Sequence, residues 1–77
     1  MLAYILVSVV KGEEDKVFAQ LKEKSQVKSA AMLFGSYDGV VVIEANDVEA
    51  LNQFILEEIR SVPEISMTST LIVAKEY

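Results

Sequence analysis

Four consecutive residues, Gly35-Ser36-Tyr37-Asp38, set an aromatic hydroxyl and a carboxylate between two apolar runs, 30–34 and 40–45. Apolar runs bounded by Gly, Ser and Asp mark a hairpin, and Gly35 and Gly39 can take positive φ without a Cβ clash. The hydroxyl and carboxylate then serve either a bound molecule or the turn itself. Asp commonly bonds nearby backbone, and a Tyr at a sheet edge keeps its hydroxyl in water. Thr68 and Thr70, on one face of an alternating stretch, offer two more hydroxyls, although Thr suits any strand. Glu13-Glu14-Asp15 gathers three carboxylates, but along one helical turn they complement the positive end of the helix dipole. A hard cation wants oxygens converging from a loop. The chain has no Cys and no His, which excludes thiol nucleophiles, thiolate metal sites, disulfides and imidazole bases.

Composition narrows the class further. A net charge of −5 argues against direct nucleic-acid binding, which needs clustered Lys and Arg. No apolar run approaches the roughly 20 residues that span a bilayer. Met1 to Val7 lacks the basic flank and cleavage site of a signal peptide, so the expected setting is cytoplasmic. The 77 residues are read as one domain, 1–77, and 52% of them are hydrophobic. A chain this small buries only roughly 60% of its unfolded surface. An oligomer is expected to cover the remainder.

The elements that must position these groups follow in order. Leu2 to Val10 is apolar at both alternating sets, as in a strand covered on both faces. A helix opens at Gly12-Glu13-Glu14-Asp15, with Val17, Phe18 and Leu21 on one face. Val27 to Phe34 and Val40 to Ala45 are the hairpin strands. Asn46, with Glu49 three residues on, is expected to cap a second helix. The stripe of that helix is Leu51, Phe54, Ile55, Ile59 and Val62, and Pro63 ends it. Met67 to Lys75 is a fourth strand, with Thr68 and Thr70 on one face and Ser69, Leu71 and Val73 on the other. The order β-α-β-β-α-β predicts an α+β, ferredoxin-like sandwich: a four-stranded antiparallel sheet with two helices on one face. Strands 2–10, 40–45 and 67–75 stay apolar on the other face too, which predicts dimerisation through it, sheet on sheet.

Gly35-Ser36-Tyr37-Asp38 followed by Val40-Val41-Val42-Ile43-Glu44-Ala45 resembles the G-x-[YF]-D hairpin of the Lrp/AsnC effector domain, also called RAM, for regulation of amino acid metabolism. The resemblance runs over nearly all 77 residues. It takes in the opening strand, Leu51-Asn52-Gln53-Phe54-Ile55, Val62-Pro63, and a T-x-T segment in Thr68-Ser69-Thr70. The chain is similar to stand-alone members, without the helix-turn-helix of full-length ones. It departs from the family where Glu64 follows Pro63 in place of Gly, and where bulky Phe34 precedes Gly35.

The resemblance implies an amino-acid sensor acting in transcription regulation, whose dimers assemble into larger rings, often octamers, with a small amino acid held between neighbouring dimers. Carried onto this chain, the amides around Gly35, Ser36, Tyr37 and Asp38 would receive the ligand carboxylate as an anion-binding nest. Asp38 would accept from the α-ammonium. Thr68 and Thr70 would add hydroxyls from an adjacent strand, and Leu33 and Tyr37 would wall the pocket. No cofactor, metal or catalytic residue is expected.

Two other readings share this topology. One is an interaction module that co-assembles with DNA-binding relatives and has no ligand of its own. The other, an enzyme, is disfavoured: an acylphosphatase needs a Gly-rich phosphate loop with Arg, and the sole arginine is Arg60 in the second helix. A barrel monooxygenase would usually show a His or Trp relay, and the chain has neither.

Overall fold

The computed structural model describes all 77 residues. Its elements are β1 (Leu2–Val9), α1 (Glu14–Leu21), β2 (Val27–Met32), β3 (Gly39–Glu44), α2 (Val48–Phe54), a π-helical turn (Ile55–Ile59) continuing α2, and β4 (Ile65–Ile72). The sheet is antiparallel with strand order β2-β3-β1-β4, the expected ferredoxin-like βαββαβ arrangement.

The strand pleat sorts side chains to two faces. Ala3, Ile5, Val7 and Val9 of β1 and Val41 and Ile43 of β3 are buried with Val17, Phe18 and Leu21 of α1 and Leu51, Phe54 and Ile59 of the second helical segment. Burying a side chain such as Ile5 or Leu21 fully contributes about 1.5–3 kcal/mol, so this cluster is the main source of stability. The alternate residues, Leu2, Tyr4, Leu6, Val40 and Val42, are only half-buried or exposed. They share their face with Met67, Ser69 and Leu71 of β4, which pair with Ser8, Leu6 and Tyr4.

Three local expectations are corrected. The cap of α2 is Asp47, whose carboxylate accepts from the Ala50 N–H at 2.8 Å. Asp47 is extended and its carbonyl starts the helical ladder at Leu51, so Asn46 lies one residue too early. Strand β4 begins at Ile65 and ends at Ile72, because the β1 partner strand runs out there. The hairpin connection is a six-residue loop, 33–38, closed by the Leu33 N–H donating to the Asp38 carbonyl at 2.8 Å.

Gly39 lies within β3 and has no positive φ. Its requirement is space. A Cβ there would fall 2.0 Å from Cζ of Phe18, so the missing side chain makes room for the tip of that α1 ring.

Phe54 and Ile59 are both buried yet five residues apart. An α-helix turns such a pair about 140° apart, given 3.6 residues per turn. The wide turn, with the Arg60 N–H donating to the Ile55 carbonyl at 2.8 Å, returns Ile59 to the buried side.

Candidate functional site

The root of the 33–38 loop is fastened to β1 by Asp38. Pairing of β1 with β3 ends at Val7 and Gly39. One residue further, the Asp38 N–H donates to the Val7 carbonyl at 2.9 Å. The Val9 N–H then donates to Asp38 Oδ2 at 2.7 Å, a partly buried bond. The carboxylate thus stands where the next backbone acceptor of the ladder would be. One carboxylate oxygen is committed to the fold, and the other accepts no hydrogen bond within the chain. Asp38 therefore bonds backbone, as its type favours, but that of a distant strand instead of its own turn.

Beyond this root the loop projects. Gly35 and Ser36 are exposed and Tyr37 is half-buried. Gly35 has φ of 157° with open space where a Cβ would be. Phe34 is exposed to 110% of its reference area, the most exposed large apolar side chain of the loop. Its ring flanks a cleft of about 270 Å³ lined by Glu14, Met32, Leu33, Phe34 and Asp38. Two expected site residues, Leu33 and Asp38, therefore meet here.

Glu14 is the residue that the linear reading assigned to the helix dipole alone. It does sit in the first turn of α1, and its Oε1 accepts from the Gly12 N–H at 2.8 Å. It also faces the loop cleft because the β1–α1 connection crosses the sheet end beside the hairpin. No sequence spacing signals that meeting, since Glu14 and Asp38 are joined only through the fold.

Thr68 and Thr70 do not join the loop within one chain. Thr68 pairs with Val7, which pairs with Gly39, so β1 lies between them. Two strand spacings, about 10 Å, separate the threonine from the loop root. The strand carrying the threonines is not adjacent to the hairpin, and that expectation is corrected. Thr68 instead lines a separate cleft of about 460 Å³ with Arg60, Ile65, Ser66 and Met67. Arg60 is a further residue, which linear reading placed only in the second helix.

Comparison with known proteins follows this geometry. The family described as the Lrp/AsnC ligand binding domain matches residues 2–77. Among solved structures, FFRP-DM1 is 42% identical over 94% of this chain and 96% of its own, with a TM-score of 0.90. A hypothetical protein from Pyrococcus horikoshii is 41% identical over 99% of this chain and 92% of its own, with a TM-score of 0.91. A transcriptional regulator from Neisseria meningitidis, solved as a complex with L-Met, is 25% identical, with a TM-score of 0.86. There the match covers 97% of this chain and 50% of the regulator. No curated protein matches significantly.

Proposed function

We propose, on the premise that this chain belongs to the Lrp/AsnC ligand-binding domain family, that it is an amino-acid-sensing regulatory module. It binds a small amino acid where copies of the chain meet, and acts in the cytoplasm by binding rather than by catalysis. The observation that carries this reading is the family match over 2–77, supported by the likeness to a regulator held with L-Met. The separation of Asp38 from Thr68 and Thr70 supports a site completed by a second subunit, as no single chain brings them together. The free oxygen of Asp38 would accept from the ligand ammonium, the amides of Gly35 to Tyr37 would receive its carboxylate, and Leu33 and Tyr37 would form the wall.

The second copy is also what the open sheet face calls for. Tyr4, Met67 and Leu71 are 42%, 58% and 53% exposed and continuous with half-buried Leu2, Leu6, Val40 and Val42. A contiguous apolar face of this kind marks an interface. Dimers formed through it would assemble further, to octamers, through the projecting loops.

One observation favours the interaction-module reading: Asp38 is already engaged by the Val9 N–H. In that reading the chain co-assembles with DNA-binding relatives and needs no ligand.

A thermal-shift screen of the twenty amino acids separates the two. A ligand at a hundredfold excess over Kd stabilises by about 2.7 kcal/mol, which raises Tm by roughly 10–20 °C for a domain of this size. Asp38→Ala should abolish the shift, measured from the variant's own Tm. A shift that survives puts the ammonium partner elsewhere, and no shift with any amino acid leaves the interaction module ahead.

A further inference from the structure

The cleft beside the 33–38 loop holds two acids to which the chain brings no cation. Glu14 and Asp38 line it together with Met32, Leu33 and Phe34. Each carboxylate accepts one backbone bond, Glu14 Oε1 from the Gly12 N–H at 2.8 Å and Asp38 Oδ2 from the Val9 N–H at 2.7 Å. Neither acid takes part in an ion pair. Lys16, Lys24, Lys28 and the Met1 ammonium pair with Glu13, Glu64, Glu58 and Glu44 instead. The contrast with the preceding residue is direct: Glu13 meets Lys16 at 4.0 Å, whereas Glu14 lines the cleft.

The other three lining residues, Met32, Leu33 and Phe34, are apolar and exposed. An alkyl stem can lie along such a wall while its charged end stays clear of it, and the face of an aromatic ring attracts a cation.

Charge then sets the class of ligand. This step rests on the amino-acid reading above, in which Asp38 meets the α-ammonium and the loop amides receive the α-carboxylate. A neutral amino acid satisfies those two partners and leaves Glu14 unpaired. Once a second copy closes over the cleft, an unpaired carboxylate is costly to hold away from water. A side chain ending in an ammonium or guanidinium supplies the missing charge through a charge-assisted hydrogen bond.

We propose that the ligand of this cleft is a basic amino acid and that Glu14 selects it. The Glu14 carboxylate receives the side-chain cation, while Met32, Leu33 and Phe34 carry the stem.

Calorimetric titration of the native assembly with L-lysine and L-norleucine at matched ionic strength tests this, because norleucine is lysine without its terminal ammonium. L-Arginine and L-methionine extend the comparison. Lysine or arginine should bind roughly tenfold or more tightly than norleucine and methionine, as expected for one added charge-assisted bond. Glu14→Gln keeps an oxygen for the Gly12 N–H and removes only the charge. The preference should collapse in that variant: the basic amino acid weakens roughly tenfold, and norleucine binds as before or better. Norleucine binding as tightly as lysine in the wild type, or a preference for lysine that survives Glu14→Gln, overturns selection by Glu14 and leaves the amino-acid sensor standing. Binding of none of the four sinks the proposal. The thermal-shift screen then separates the two readings, since a shift with some other amino acid keeps the sensor and no shift with any of them removes both.

Discussion

The two faces of the sheet are built from the same residue types and end in opposite states. Ile5 and Val7 are fully buried beneath the helices, while Tyr4 and Leu6, their neighbours in β1, stand on a face with nothing over it. The difference lies in cover. Two short helices hide one face of four strands, and the chain has no further element for the other. Apolarity on the open face is therefore information about a partner, whereas on the helix face it is information about folding.

Substitution can test that contrast from its strongest point. Ile5→Ala removes a fully buried side chain and should cost about 2–5 kcal/mol, read as a lower denaturation midpoint at unchanged slope. The adjacent Leu6→Asp should act mainly on assembly. Light scattering should show the mass falling to that of lone subunits, and a wild-type chain already monomeric at high concentration would remove the case for a covered face. Gly39→Ala sharpens the helix side. The added methyl meets the Phe18 ring and should cost about 1–3 kcal/mol by overpacking, with Phe18→Leu recovering part of it. A neutral Gly39→Ala would show that the ring is free to move.

The smallest effect belongs to Glu44, at the margin of the open face. Its Oε2 accepts from the Met1 ammonium at 2.7 Å, and that bond, with Lys28 nearby at 3.9 Å, holds its carboxyl below the ordinary range. A lowered carboxyl pKa contributes stability that is present above the unfolded value and lost as pH falls through the folded one. An NMR titration of Glu44 should place its midpoint below that of an ordinary glutamate, and Glu44→Gln should flatten only the acid limb of stability against pH. The pair is exposed, so salt should screen it.

Much of the fold was legible because its signals are local. Continuous apolar runs of strand length marked β1 and β3, the 3.6 period marked α1, and Pro63 marked the end of the second helical segment. The misplaced cap, Asn46 for Asp47, shows the limit of that legibility. Both residues can cap, and the choice depends on where the chain enters the helix. The site was legible only in part. Asp38 and Leu33 share one hairpin loop and were found together. Glu14 and Arg60 carry no motif, since each joins its cleft through strand order and not through spacing.

Sequence alone determined the βαββαβ order, the acidic composition without Cys or His, and the loop's complement of polar groups, because each is written in neighbouring residues. Tertiary structure decided what those groups do. It spent one oxygen of Asp38 on the Val9 N–H, and set Thr68 across β1 from the loop. It also opened a π turn that brings Ile59 into the core and leaves Arg60 at the edge of β4. The physical reason is that hydrogen-bond ladders and packing act between residues far apart in the chain, and only their closure fixes which polar groups are left free.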